Sequence, residues 1–294
     1  MKVLITGSNG QLGGDLLQTA PPGTDITAWD LEDMDITDAV QVDARISSIR
    51  PDIIINTAAY TAVDKAESEP DAAEAVNVRG PANLARAAAG RGNLLVHIST
   101  DFVFGGDRDC PWQPDDPFHP LGVYGCTKAE GERQVRKLHG HRSLILRTSW
   151  IYSVHGNNFV RTMLRLMGER DELRVVNDQI GTPTWSRNLA RVIWELLEKR
   201  APAGTYHWSD VGAISWYDFA CAIYEEGRAL GLVEREVAIR PIATAEYPTP
   251  AKRPAYSVLD TSGTEAVVGH PPRAWREALR EMLEELKSQV TSDK

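Results

Sequence analysis

The sequence predicts an α/β fold: a doubly wound parallel sheet in a first lobe, followed by a smaller mixed α/β lobe. Three observations predict it. Short apolar runs alternate with helical patterns through the first half, a glycine-rich turn follows the first of those runs, and the alternation weakens beyond Trp150. Strands that are apolar along their whole length belong to parallel sheets covered by helices on both faces.

Residues 2–6 read as a strand and 11–19 as a helix, with 25–29 a second strand and 39–49 a second helix. The third strand covers 51–56, where Pro51 stops the preceding helix. An alanine-rich, largely helical stretch (69–90) leads to a fourth strand at 93–98. After a loop rich in Pro, Asp and Gly (105–120), a helix spans about 124–138 and a strand 143–148. Further helices are expected over 158–167, 186–199, 216–230 and 272–287, broken by proline-containing loops. The expected division is a dinucleotide-binding lobe over 1–150 and a mainly substrate-binding lobe over 151–294. Its boundary is soft, because later segments can return to the first lobe.

Composition narrows the function classes. A chain of 294 residues, 42% hydrophobic and 25% charged, is large enough for a core and an enclosed cleft. A net charge of −9 without a basic run argues against a nucleic-acid partner, though a single nucleotide needs only a few local donors. Cys110, Cys126 and Cys221 are widely spaced, so neither a disulfide framework nor a zinc site is expected. No signal peptide fits the N-terminus, and no apolar run approaches the roughly 20 residues that span a bilayer. A soluble, cytoplasmic protein with no membrane partner is the expectation.

Gly7-Ser8-Asn9-Gly10-Gln11-Leu12-Gly13 lies between the first strand and the first helix. Glycines there permit a tight turn and let the backbone approach a pyrophosphate at the positive end of the helix, the mark of a Rossmann-like cofactor site. Asp30 ends the second strand, where a carboxylate can accept bonds from the adenosine ribose. The segment Leu31-Glu32-Asp33-Met34-Asp35 after it carries no cation, so charge alone favours NADH over NADPH. Small residues in Asn56-Thr57-Ala58-Ala59-Tyr60, at the end of the third strand, let a cofactor lie against the sheet edge; ordinary packing would use them equally well.

Tyr124 and Lys128 are four residues apart on a helix and therefore share a face. A free tyrosine has a pKa near ~10, and a neighbouring ammonium is expected to lower it. In the reducing direction Tyr124 would supply the proton to a carbonyl oxygen as hydride reaches its carbon. Lys128 would hold the nicotinamide ribose. Ser99-Thr100-Asp101 ends the fourth strand on the same sheet edge, and the Thr100 hydroxyl is placed to polarise that carbonyl.

These residues resemble the extended short-chain dehydrogenase/reductases and, among them, the dTDP-4-dehydrorhamnose reductase family. The resemblance runs over most of the chain, through TGSNGQLG (6–13), NTAAYTAVDKAESEP (56–70), STDFVFGG (99–106), VYGCTKAEGE (123–132), RTSWIY (147–152), GNNFVRTMLRL (156–166), NDQIGTPT (177–184) and YPTPAKRP (247–254). It implies a catalytic trio of Thr100, Tyr124 and Lys128, and NADPH or NADH held against Gly10, Gln11, Leu12, Asp30, Asp35, Ile36, Ala59, Tyr60 and Thr61. It also implies a dTDP-sugar near Thr61, Val63, Thr100, Asp101, Tyr124 and Trp150. Some members bind magnesium at a dimer interface. Asp15 would be one ligand, but Trp185-Ser186-Arg187 offers no second acid, so no metal is expected and a homodimer remains open.

Outside those motifs, Arg253 is a candidate for the sugar diphosphate, since a guanidinium matches phosphate with a fork of donors. Asn157-Asn158 are expected to cap a helix rather than touch ligand. His97, on the fourth strand, is expected to be structural. The implied reaction is reduction of the C4 keto group of dTDP-4-dehydro-L-rhamnose. Alternatives are another nucleotide-sugar reductase or epimerase, a 4,6-dehydratase, and a non-catalytic nucleotide-binding regulatory subunit of the same fold. The resemblance disfavours the dehydratase, because Phe102 stands where those enzymes usually carry an acid. An intact Tyr124–Lys128 pair disfavours the regulatory subunit.

Overall fold

A computed structural model describes residues 1–292 of the chain, and the last two positions of the expected second lobe lie outside them. The first lobe runs β1 (Lys2–Thr6), α1 (Gln11–Gln18), β2 (Asp25–Trp29), α2 (Ala39–Ile49), β3 (Ile53–Asn56), α3 (Val63–Ala66), α4 (Pro70–Glu74), α5 (Gly80–Arg91), β4 (Leu94–Thr100), α6 (Val123–His139) and β5 (Ser143–Thr148). The stretch read as largely helical over 69–90 contains α4 and α5, joined by a π turn, Ala75–Arg79.

Then follow β6 (Ile151–Tyr152), α7 (Phe159–Glu169), β7 (Glu172–Val176), β8 (Ile180–Gly181), β9 (Thr184–Trp185), α8 (Ser186–Glu198), β10 (Gly204–His207), β11 (Ile214–Ser215), α9 (Trp216–Leu230), β12 (Ala238–Ile242), α10 (Ser262–Val268) and α11 (Trp275–Ser292).

The main sheet has six strands in the order β10-β5-β4-β3-β1-β2. All are parallel, with Thr6 opposite Asn56 and Thr100 opposite Thr148 at their C-terminal ends. Alternate residues of β1 go to opposite faces. Val3 and Ile5 pack with Leu16, Leu189 and Ile193 of α1 and α8, and Leu4 packs with Ile46 and Leu84 of α2 and α5. Both faces are therefore dry, which is why these strands are apolar throughout. β10 and α8 come from the second half of the chain but complete this sheet and one of its faces.

The remaining segments form three two-stranded pairs and a helical core of their own, built around Tyr152, Met163, Phe219 and Leu279. The chain order reverses at β1, with β2 on one side and β3 on the other. Such a switch point leaves a crevice beyond the carboxyl ends of the strands. Among the described residues no helix is long and apolar enough to cross a membrane.

Candidate active site

A cleft of about 1010 Å³ opens along the C-terminal ends of β1, β3, β4 and β5. Every residue expected to touch cofactor or substrate lines it except Gly13. Gly13 instead packs under the glycine turn, where an added Cβ would lie 2.4 Å from the Gly7 carbonyl oxygen and 2.6 Å from Ser8 Cα. Its role is close packing of α1 against the loop rather than contact with a ligand.

The loop fits a dinucleotide. Gly7 holds φ at 71°, and Gly10 precedes α1 without a side chain capping the helix. The first-turn amides are thus left for an anion, and no acidic side chain stands in that turn to repel one. Asp30 lines the cleft at the end of β2 and accepts from the Asn9 amide (2.9 Å) through one oxygen and from the Leu31 amide (2.8 Å) through the other. This carboxylate ties the glycine loop to the edge where an adenosine ribose would lie.

Tyr124, Lys128 and Thr100 converge on the middle of the cleft. Tyr124 is half-buried in the first turn of α6, edge-on to Phe102 with ring centroids 5.6 Å apart, and hydrogen-bonded to Thr100. Lys128 is buried one turn on, with Nζ donating to the Ile98 carbonyl oxygen at 2.7 Å. Thr100 donates to Asp101 Oδ1 at 2.9 Å and accepts from the Phe102 amide.

The electrostatics of this trio differ from the expectation. Burial pushes the Tyr124 phenol up to about 12, opposed by the Thr100 hydrogen bond and reinforced by Asp101. The neighbouring ammonium predicts a lowered tyrosine, but Lys128 is not among the groups that shift Tyr124, and burial sets the direction. Burial likewise draws Lys128 down to about 8, opposed by Glu132. It raises Asp101 to about 6 against hydrogen bonds from Ser257 and Thr100. Tyr124 is thus held as a phenol, the form required of a proton donor.

The far wall belongs to the second lobe. Trp150 has a left-handed backbone (φ 45°) and stacks on Trp216, with ring centroids 3.5 Å apart and planes 8° from parallel. Its indole also covers Gly181, where a Cβ would come within 2.5 Å of the ring. Arg253 reaches the cleft but is engaged by Asp64, with Nη2 to Oδ2 at 2.7 Å and Nη1 to Oδ1 at 3.1 Å. That pair stitches the loop before residue 254 to α3.

Asn158 caps α7 by accepting from the Arg161 amide, as its position suggests, whereas its neighbour Asn157 lines the cleft. His97 is buried, with Nδ1 3.0 Å from Asn56 Nδ2. Asp15 is buried against Ser153, Ser186 and Arg187. Among the described residues no group of three or more His, Cys, Asp or Glu is arranged to hold a metal ion.

Sequence reasoning missed Trp216, which is brought to Trp150 from a distant segment and carries no local signal of a site, and it read Gly181 only as part of NDQIGTPT, with no contact to Trp150.

The model of the RmlD substrate binding domain matches residues 1–288. The chain is 44% identical to dTDP-4-dehydrorhamnose reductase of Aggregatibacter actinomycetemcomitans, over 95% of this chain and 97% of that protein. Among solved structures, it superposes with a TM-score of 0.91 on a dTDP-4-dehydrorhamnose reductase of Clostridium acetobutylicum, at 42% identity over 98% of this chain and 100% of the other. A Bacillus anthracis dTDP-4-dehydrorhamnose reductase in complex with NADP matches with a TM-score of 0.91 and 40% identity, covering 97% of this chain and 99% of that one.

Proposed function

This chain belongs to the RmlD substrate binding domain family, and from that and its cleft we infer that it reduces the C4 keto group of dTDP-4-dehydro-L-rhamnose, giving dTDP-L-rhamnose. NADPH or NADH is the reductant. The observation that carries the reading is the meeting of Thr100, Tyr124 and Lys128 beside a glycine loop fitted to a pyrophosphate.

A bound nicotinamide supplies the hydride. The glycine loop and the first turn of α1 would hold the pyrophosphate, Asp30 the adenosine ribose and Lys128 the nicotinamide ribose. Lys128 keeps one ammonium proton on the Ile98 carbonyl, which leaves the others for the ribose hydroxyls. Thr100 and Tyr124 line the same part of the cleft, and once the Thr100 hydroxyl turns from Asp101 both would donate to one substrate carbonyl oxygen. As negative charge grows there, Tyr124 passes its proton to that oxygen. The phenolate left behind is stabilised by the Thr100 hydroxyl and the nearby ammonium. Trp150, fixed by Trp216 and Gly181, is part of the wall that the sugar would meet.

The test mixes purified protein with dTDP-4-dehydrorhamnose and each cofactor, following nicotinamide absorbance. Turnover with at least one cofactor is expected; no oxidation of either would sink the reading.

Two quantitative expectations accompany it. The Lys128 ammonium, held at about 8, is lost as pH rises through that value, so kcat/KM is expected to fall on the alkaline side there. A profile flat to pH 10 would contradict the role of this ammonium. Arg253→Ala removes a guanidinium expected to turn from Asp64 to the substrate diphosphate. Hydrogen bonds to charged groups contribute about 1.5–3 kcal/mol, so KM for the dTDP-sugar should rise about 10- to 100-fold, with kcat little changed. Steady-state kinetics would separate the two constants.

A further inference from the structure

Behind the cleft lies an ion-pair network that none of the chemistry above uses. Glu132 is fully buried, and Arg147 is 1% exposed. Glu132 sits one turn beyond Lys128 on α6. Its Oε1 accepts from Ser99 Oγ and from Arg147 Nε at 2.9 Å. Its Oε2 accepts from Arg147 Nη2 at 2.9 Å and Arg136 Nη2 at 2.7 Å. Arg147 also donates to the Pro114 carbonyl oxygen at 3.0 Å and lies 3.1 Å from His207 Nε2.

The partners sit next to the reacting groups. Ser99 precedes Thr100 on β4, and Arg147 precedes Thr148 on β5. One carboxylate therefore fastens α6 to both strands whose ends form the floor of the cleft.

Burying a carboxylate and a guanidinium costs several kcal/mol per ion, and an apolar pair of similar volume often does as well. Stability alone is therefore a weak reason for this arrangement. We propose that Glu132 and Arg147 are positioning residues: the Glu132 carboxylate keeps the Lys128 ammonium charged and aimed, and Arg147 holds that carboxylate in place and limits its field. The proposal rests on the reductase reading for its catalytic meaning, though not for its electrostatic test.

The charged and titratable groups around Lys128 are few. Its own helix provides Tyr124, Glu132 and Arg136. From β4 and the turn after it come His97 and Asp101, and from β5 comes Arg147. The π turn and α5 meet α6 through uncharged Asn77 and Pro81, and after α3 the Glu67 carboxylate accepts from the Val123 amide at the start of α6 (2.8 Å). His97 is kept neutral by burial, then by Lys128 and Arg136. Burial raises Glu132, but Arg147 and Arg136 reverse that and hold it below the usual carboxylate range. Glu132 is thus the negative charge that opposes the desolvation of Lys128.

Opposite signs make the test decisive. Glu132→Gln keeps the shape and removes the negative charge, so the alkaline limb of kcat/KM is expected to move down by about one pH unit. Arg147→Met keeps Glu132 and strips its strongest partner, so that limb is expected to move up. The double variant, lacking both charges, is expected to lie near the wild type. A purely structural role would lower amplitude or melting temperature in the single variants and leave the limbs in place.

The cofactor-free protein gives a second readout. An NMR titration of the Lys128 side chain should show the same displacements whether or not any sugar is reduced. If Glu132→Gln does not fold, Arg147→Met still carries the sign, and the double variant should return it to the wild-type position. A Lys128 titration that is the same in wild type, Arg147→Met and every other folded variant would overturn the proposal.

Discussion

Replacing Tyr124 by phenylalanine is expected to lower kcat by at least a hundredfold, in line with the ~10²–10⁴ that a positioned proton donor contributes. The substitution deletes one oxygen and leaves the ring, so the edge contact with Phe102 stays. Cofactor binding should be nearly unchanged, because the glycine loop and Lys128 are untouched. The variant also removes a hydrogen bond at Thr100 without exposing the buried Lys128 to water, so the folded state should survive. Single-turnover kinetics, with a cofactor titration beside them, would separate the chemical step from binding. A rate within a few-fold of wild type would mean that some other group delivers the proton.

A second large effect is expected at Gly13. The Cβ of alanine would fall 2.4 Å from the Gly7 carbonyl oxygen and 2.6 Å from Ser8 Cα, and both obstacles are backbone. Neither can swing aside as the end of a flexible side chain would, so α1 or the glycine turn must shift. Overpacking of this kind costs about 1–3 kcal/mol. The displaced loop is the one proposed to hold the pyrophosphate, so dinucleotide affinity should drop roughly tenfold or more, since each 1.4 kcal/mol is a factor of ten. Calorimetry on Gly13→Ala gives both numbers: a lower melting temperature and weaker cofactor binding. Wild-type affinity would show that the turn tolerates the shift.

How much of this was legible in the chain follows from how local each signal is. The strand–turn–helix around Gly7 could be read directly, because a tight turn, an uncapped helix start and an apolar strand are properties of neighbouring residues. Tyr124 and Lys128 could be paired for the same reason, being one helical turn apart. The fate of their protons could not. The pKa of Tyr124 is set by burial, which depends on the assembled cleft, and it moves opposite to what the lysine alone suggests.

β10 escaped notice because Gly204–His207 is a short strand whose first three residues are not buried, with no apolar run to mark it. The stacking of Trp150 on Trp216 joins residues 66 positions apart in the chain. Charged residues on a helix usually read as a solvated face, so Glu132 gave no hint of being buried against Arg147. Asp64, too, becomes noteworthy only when the fold brings Arg253 to it.

The placement of Tyr124, Lys128 and Glu132 at successive four-residue steps on α6 constrains how this region can change length. Each residue added to an α-helix turns whatever follows by about 100°. One inserted codon between positions 124 and 128 would swing the ammonium off the face that carries the phenol, while Glu132 would still hold the helix to β4 and β5. An insertion between 128 and 132 would spare the reacting pair and tear out its anchor. The spacing of these three residues along α6 therefore leaves no room for a change of length between them.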